Sequence, residues 1–275
     1  MKRMLRKLAV ACASALLAAC SVSGHDKWGA EPAPFVAKHS HGTDRWKRAE
    51  SALTSLGEQR AAFMETRDPE LVFAVFYYHV TDGMLGKIRS GGLEHPDFWL
   101  DEVAAFHALY VRNLDPKVRE SHWRPYHELA LSLRGRRFHG WQVAGPEDFV
   151  APRSLTGHGV AAHIGTDLPR SLAEVAARHP GYGRDPGGGL ERDFRKLSCV
   201  FHEASRRGFG DLRYAFGTDR TWYLGAIPGR DSIAAWWIGI LRDRAWLKAW
   251  KIFGEKPNLK SGAIPQGGST RCGRQ

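Results

Sequence analysis

The sequence has few cysteines and no cysteine motif. Its 275 residues include four cysteines, and none of them forms a C-x-x-C pair or a zinc-knuckle spacing. The sequence also lacks the G-x-S-x-G, P-loop and G-x-G-x-x-G signatures. These absences argue against serine hydrolases, NTPases and dinucleotide-binding enzymes. No reaction class follows from a local motif.

Neither of the two most apolar stretches can cross a membrane. The first covers only 12 residues, Leu8 to Ala19, whereas a helix that crosses a hydrocarbon core of about 30 Å needs roughly 20. The second, beginning at Asp231, is interrupted by Arg242-Asp243-Arg244. Because Lys2, Arg3, Arg6 and Lys7 precede the first stretch, we interpret residues 1–19 as a secretory signal peptide.

The end of this segment predicts a lipid anchor. Residues 17–20 read Leu-Ala-Ala-Cys and resemble the bacterial lipoprotein lipobox, in which cleavage exposes the cysteine and lipid is attached to it. The resemblance implies that Cys20 anchors the chain to a membrane of the cell envelope, facing the periplasm or the exterior. An ordinary cleaved signal peptide is the alternative.

The chain carries a moderate excess of positive charge. Removing residues 1–19 takes away four basic and no acidic residues, which lowers the formal net charge from +11 to +7. Basic residues are mostly interleaved with acidic or apolar ones, so no concentrated basic stripe of the kind that binds nucleic acid is visible. We therefore expect contact with anionic headgroups or other acidic envelope components, and no nucleic-acid partner.

The remaining segments divide the chain into a tether, one domain and a tail. Residues 20–42 are rich in Ser, Gly, Pro and Ala and predict a tether. Residues 43–253 are long enough for one domain with a sizeable core, and residues 254–275 are loop-like. Cys199 and Cys272 are the cysteines left in the mature chain, and a disulfide between them remains open.

Helical signals outnumber strand signals in the domain. Thr43 or Asp44 can cap a first helix, and Asp68-Pro69 and Pro96 stand where helices commonly begin. The stretch from Pro69 to Met84 is apolar on several sides, which indicates a helix buried by its neighbours. The sequence predicts an all-α fold, a single compact bundle of about seven helices.

The central stretch, Gly157 to Leu172, combines an apolar stripe with ionisable residues. Val160, Ile164 and Leu168 recur every four residues, and so do His163 and Asp167. On a helix both sets project from one face, one turn apart. Since burying ionisable groups is costly unless they are paired or bound to a metal, this stretch predicts a buried polar network or a ligand site.

Two further helices carry residues that can join this site. His79 and Asp82 are three apart on one helix, and His107 lies on the apolar face of another. Together with His163 and Asp167 they form a five-residue candidate metal site, of a composition that suits Zn²⁺, Fe or Mn²⁺. The alternative is a set of helix-to-helix hydrogen bonds and ion pairs.

Three passages together resemble the bacterial domain-of-unknown-function family numbered 5995. They are YYHVTDGM, HPDFWLDEVAAFHALYVRNL, and GVAAHIGTDLPRSL followed by Asp193-Phe194. The third matches an Ala-His-Ile-x-x-Asp-Leu-Pro pattern typical of that family. The resemblance implies an all-helical fold over about Arg67 to Phe253 and carries no established activity.

His163 and Asp167 are also similar to a His-x-x-x-Asp fragment of zinc-dependent phospholipases C and single-strand nucleases. The histidine that follows the aspartate in that group has no counterpart in Leu168 to Leu172, and the N-terminal tryptophan ligand is missing too. Two functions remain open: a non-catalytic lipoprotein whose polar core fixes helix packing or binds a partner, and a metal-dependent hydrolase acting on envelope phosphoesters or lipids.

Overall fold

The computed structural model describes residues 43–135, 146–179, 188–216 and 230–254. These residues are 86% helical and contain no strand. The helices are α1 (Asp44–Thr66), α2 (Leu71–Arg89), α3 (Pro96–Leu114), a 3₁₀ turn (Ser121–Trp123) leading into α4 (Arg124–Leu133), α5 (Pro146–Ala162), α6 (Leu168–Arg178), α7 (Gly189–Lys196), α8 (Ser198–Phe216) and α9 (Arg230–Phe253).

Within the described ranges these helices make seven helical segments, as predicted. A π-helical turn, His163–Asp167, joins α5 to α6 without a break, and only Leu197 separates α7 from α8. The all-α prediction is confirmed. None of the described helices is both long and apolar enough to span a bilayer. The signal peptide, Cys20, the tether and Cys272 lie outside the described residues.

Local chemistry accounts for the helix ends. The Thr43 side chain accepts a hydrogen bond from the Trp46 backbone N–H at 3.4 Å and so caps α1. That helix ends at Arg67, whose φ of 52° is left-handed. The helix continues through Gly57, because apolar contacts of its inner face outweigh the weak helix propensity of one glycine.

Helix α2 is the central element. It packs against α1, α3, α5 and α8, and its residues Leu71 to Val75 are all buried. This confirms the prediction drawn from its apolar residues. At Gly159, α5 comes so close to α2 that an added Cβ would lie 2.5 Å from Phe73 Cδ2. The approach brings the π-helical turn that follows α5 against the aromatic face of α2.

Pro169, two residues beyond the end of the π-helical turn, explains why this turn forms. Pro169 has no backbone N–H, and its ring clashes with the carbonyl of the residue four positions earlier in a regular α-helix. That residue is Gly165, whose carbonyl instead accepts a hydrogen bond from Lys248 Nζ of α9 at 3.3 Å. A widened turn relieves such a clash, and π-helical turns occur frequently at functional sites.

A buried aspartate positions the start of α3. Asp193 of α7 is fully buried and accepts hydrogen bonds from the backbone N–H groups of Glu94 at 2.9 Å and His95 at 2.8 Å. It also accepts a hydrogen bond from Trp99 Nε1 at 3.3 Å. The Asp193 carboxylate therefore caps the first turn of α3 from a different helix, whereas a capping side chain usually belongs to the residue at the start of the helix that it caps.

Arg242 fixes α9 to the bundle. It is 3% exposed, and its guanidinium carbon lies 4.1 Å from the ring centre of Phe194 and 4.6 Å from that of Phe201. It donates to the Phe194 carbonyl at 2.7 Å and to Ser198 Oγ at 2.6 Å. Burial lowers the pKa of Arg242 to about 10. Two aromatic faces and two oxygens thus stabilise this buried cation.

Two glycines of α5 test the contact with α2. Gly159→Ala is expected to lower the free energy of unfolding by roughly 1–3 kcal/mol, because the new methyl group overpacks Phe73. Gly157→Ala, where an added Cβ meets nothing within 4 Å, is the matched control and should raise stability by up to about 1 kcal/mol. Urea denaturation measures both. Equal effects of the two substitutions would contradict the close approach.

Candidate functional site

The structure separates the five predicted metal-site residues into two places. His79 lies on the side of α2 that faces α8, where its Nε2 contacts Asp211 Oδ2 at 2.7 Å. Arg60 Nε donates to the same oxygen at 2.7 Å. Asp82 forms an ion pair with Arg207 at 3.0 Å. His79 and Asp82 therefore serve the packing of α1 and α2 on α8.

The other three residues lie in the protein interior. His163 Nδ1 and Asp167 Oδ2 are 3.2 Å apart, so this predicted pair does meet across the π-helical turn. His107 is buried on α3, and its ring centre lies 6.3 Å from that of Tyr77. Within the part of the chain that the structure describes, no group of three or more His, Cys, Asp or Glu side chains is arranged to hold a metal ion.

Asp167 is the centre of this interior region. Its side chain is fully buried, and its Oδ1 lies 2.8 Å from His122 Nε2. Its Oδ2 accepts a hydrogen bond from Trp123 Nε1 at 2.9 Å in addition to the contact with His163. Burial alone would raise the pKa of Asp167, but the hydrogen bonds from His163, Trp123 and His122 outweigh it and lower the pKa below its ordinary value. Asp167 is thus an ionised acceptor for three donors.

This arrangement fixes the tautomer of His163. Because Asp167 is ionised and accepts, Nδ1 of His163 carries the proton and Nε2 keeps its lone pair. Burial lowers the pKa of His163, although the hydrogen bond and the charge of Asp167 oppose that shift. The ring is therefore neutral at pH 7. Its Nε2 is buried and has no hydrogen-bond partner among the described residues.

Aromatic rings enclose His163. The Phe106 ring stacks on it with centres 3.5 Å apart and planes 9° from parallel, and Tyr77 meets it edge-on at 4.4 Å. Phe73, Tyr110 and Trp123 complete the cage at 5.6–5.8 Å. Such a cage holds the imidazole in one orientation and keeps its basic nitrogen away from bulk water.

Further polar atoms without a protein partner gather around Tyr77. We use the term interior cluster for Tyr77, Glu102, His107, Tyr110 and His163. The ring centre of Tyr77 lies 4.4 Å from His163, 5.1 Å from Tyr110 and 6.3 Å from His107. Burial raises the pKa of Tyr77, and the nearby carboxyl of Glu102 contributes to this shift. Among the described residues no partner exists for four buried atoms of this cluster, namely Glu102 Oε2, His107 Nδ1, Tyr110 Oη and His163 Nε2.

Burial shifts the pKa values of the interior cluster in the direction that favours uncharged groups. Burial raises the pKa of Glu102 well above its ordinary value, and the hydrogen bond from Ser171 Oγ at 2.7 Å opposes this only in part. Burial, with a contribution from His163, lowers the pKa of His107 to about 4. Burial also raises the pKa of Tyr110. A neutral carboxyl, two neutral imidazoles and two phenols therefore share this interior.

Sequence reasoning missed several members of this site. His122 gave no usable signal, because the Asp167 carboxylate that its Nε2 contacts lies 45 residues farther along the chain; its Nδ1 lies 3.7 Å from Glu120 Oε2. His127 bonds Glu70 Oε1 at 3.0 Å. Glu102 and Trp123 gave no distinguishing pattern, because each is one polar or aromatic residue in an otherwise amphipathic helix. Only the i, i+4 pair of His163 and Asp167 was visible as a local signal.

The comparison with known families now adds one finding. Residues 148–266 match the model for DUF5995, a family of unknown function. The match confirms the family resemblance, and it includes His163, Asp167, Asp193 and Arg242. It leaves out α1 to α4, and with them Tyr77, Glu102, His107 and Tyr110. His163 and Asp167 thus come from the matched segment, and the other residues of the interior region come from the helices before it.

No curated protein and no solved structure matches the chain significantly. The likeness to zinc-dependent phospholipases C therefore rests on His163 and Asp167 alone. In this structure Asp167 acts as a hydrogen-bond acceptor for three neighbouring side chains. Function must accordingly be argued from the site itself.

Two buried tyrosines test whether the interior cluster contains unsatisfied groups. Tyr110→Phe removes a hydroxyl without a partner among the described residues and is expected to leave the free energy of unfolding unchanged or raise it by up to about 1 kcal/mol. The matched control is Tyr126→Phe, which removes a hydroxyl that donates to the Glu70 carbonyl at 2.9 Å and should cost about 1 kcal/mol. Thermal and urea denaturation of protein refolded from denaturant, and so free of any co-purified molecule, distinguish them, and a larger loss for Tyr110→Phe would contradict this assignment.

The raised pKa of Glu102 predicts a pH-dependent effect on stability. Since its folded pKa lies above the unfolded value of about 4.3, its favourable contribution is complete below that pH and is lost as pH rises towards the folded pKa. Glu102→Gln keeps an acceptor for Ser171 and should therefore gain stability relative to the parent as pH rises from 4 to 8. Glu128→Gln, which changes an exposed glutamate of α4, is the control and should show a nearly flat difference in melting temperature.

Proposed function

We propose that this chain is a lipid-anchored protein of the bacterial cell envelope whose helical domain binds a small, uncharged polar molecule at the interior cluster. The observation that carries the proposal is the set of four buried polar atoms without a partner among the described residues. Each such atom costs roughly 1–3 kcal/mol when it has no hydrogen bond. A ligand with matching donors and acceptors offsets that cost.

The chemistry of the cluster favours an uncharged ligand. At neutral pH Glu102 is a proton donor and His163 Nε2 is an acceptor, for the reasons given above, and Tyr110 Oη can serve as either. A charged ligand would need an opposite charge in this dry surrounding. Asp167, whose carboxylate contacts His163 of the cluster, already accepts from three donors.

The cell-envelope location is supported by the N-terminal sequence. The basic and apolar segment before Cys20 has the order of a signal peptide, and Leu17-Ala18-Ala19-Cys20 resembles a lipobox. A lipid on Cys20 and a tether of residues 20–42 would keep the helical domain close to the membrane surface. A binding module at that place would sample molecules of the periplasm or the exterior.

A metal-dependent hydrolase is the second candidate, and one observation favours it. Histidines that ligate metals usually bond a carboxylate through their other ring nitrogen, and His163 bonds Asp167 in this way. Asp167 would then orient the ligand and would not bind the metal itself. Nothing in the described residues supplies three or more such ligands in place, so this candidate ranks below the first.

Mass analysis of the full chain, extracted from membranes in detergent, tests the binding proposal. Native mass spectrometry is expected to show one bound small molecule that is lost on denaturation. Tyr110→Phe should lower its occupancy severalfold, because it removes one contact, whereas Tyr126→Phe should leave occupancy unchanged. Absence of any bound molecule from the parent, or equal loss in both variants, would overturn the proposal.

Elemental analysis of the same samples decides between the two candidates. A metal hydrolase would contain metal at close to one equivalent, would lose it in His163→Ala and Asp167→Asn, and would melt at a lower temperature with chelator. Ligand binding by the interior cluster predicts metal content near zero and melting that is insensitive to chelator. In that case the variant that combines His163→Ala with Asp167→Asn should lose clearly less stability than the two single variants lose in total.

A further inference from the structure

The last turns of α9 carry a stripe of exposed basic residues. Arg244, Lys248, Lys251 and Ile252 are all exposed, and their spacing of four, seven and eight residues places them on one helix face. Ala245, Trp246 and Ala249, which face the bundle, are buried. We use the term α9 face for these four exposed residues.

The α9 face differs from other basic surfaces because its charges are not neutralised. Most described arginines form ion pairs, among them Arg45, Arg60, Arg192, Arg195 and Arg207. Arg244 and Lys251 have no ion-pair partner within the described ranges, and Lys248 bonds only the neutral carbonyl of Gly165. From residue 243 to residue 254 the sequence has three basic residues and one acidic residue, Asp243.

Apolar side chains accompany these charges. Ile252 is 53% exposed, and the partly exposed Trp250 packs its ring against Trp246 at 5.2 Å and Phe253 at 5.9 Å. A helix face that combines lysines, arginine and exposed apolar side chains with an adjoining tryptophan is suited to the boundary between lipid headgroups and acyl chains. An acidic protein would match the charges but leave Ile252 without an apolar environment.

We propose that the α9 face docks on the surface of an anionic phospholipid bilayer. Arg244, Lys248 and Lys251 contact the phosphates, and Ile252 enters the headgroup layer. This contact goes beyond ligand binding and does not depend on it. The contact would strengthen the membrane binding that a lipid on Cys20 provides. A single acyl chain gives only reversible binding, and a second, basic contact makes the binding stable.

Vesicle flotation tests the docking surface. The protein is the chain from residue 20 onward with Cys20→Ala, so that neither the signal peptide nor an acyl chain contributes. It should float with phosphatidylcholine vesicles that contain about 30 mol% phosphatidylglycerol and not with pure phosphatidylcholine, and binding should fall as salt increases. Arg244→Gln combined with Lys251→Gln should weaken binding at least about tenfold.

The matched control removes the same charge elsewhere. Lys87→Gln combined with Lys117→Gln changes two exposed lysines outside α9 and should leave vesicle binding within about twofold of the parent. Equal weakening by both pairs would overturn the proposal, because net charge alone would then explain binding. Equal binding to neutral and anionic vesicles would also overturn the proposal. The same holds if the protein binds no vesicles at all, or binds polyglutamate but not vesicles. Ile252→Ser, which leaves the charge intact, should also weaken vesicle binding.

Discussion

The buried carboxylate of Asp167 is the constraint on which the interior depends. A charge without access to solvent is stable only if donors surround it, and Asp167 obtains three from the 3₁₀ turn and the π-helical turn, namely His122, Trp123 and His163. These contacts join the segment before α4 to the segment between α5 and α6. They also decide which nitrogen of His163 carries the proton. Helix packing and the protonation state of the site thus have one common cause.

Elsewhere in the bundle buried acids are fully used in holding helices together. Asp101 of α3 binds Arg45 and Arg48 of α1 and lies 2.8 Å from His179 at the end of α6. Asp193 does the same between α7 and the start of α3. The interior cluster holds four of the eight buried side-chain atoms that have no hydrogen-bond partner among the described residues, and the other four belong to Gln59, His79, Glu120 and His127. Natural cores leave few such atoms, and the gathering of four of them in one cluster favours that cluster as a place for binding.

The sequence was sufficient for the helices and insufficient for most of the site. Apolar spacing, Thr43 and the prolines predicted the number of the described helical segments and where several of them begin, since these signals are local, whereas α1 and α8 run farther than their spacing indicated. His163 and Asp167 were found because they are four residues apart and meet within one helical run. His79 and Asp82 showed equally good spacing, yet α8 supplies Asp211 and Arg207 as their partners. Which helix covers a given face depends on contacts between distant segments, and no spacing within one helix reports that.

The π-helical turn has a consequence for how chains of this kind can change in length. A turn of this type holds one residue more than a regular α-helical turn. In a chain that also lacks Pro169, deleting a residue between His163 and Asp167 would therefore allow a regular helix through this region, with α5 and α6 keeping their own faces towards the core. An insertion or deletion farther along either helix would rotate all later residues by about 100°. The site is thus built at the one position of this long helix where a change of length is tolerated, and a chain that lost the residue would keep the bundle while losing the juxtaposition of imidazole and carboxylate.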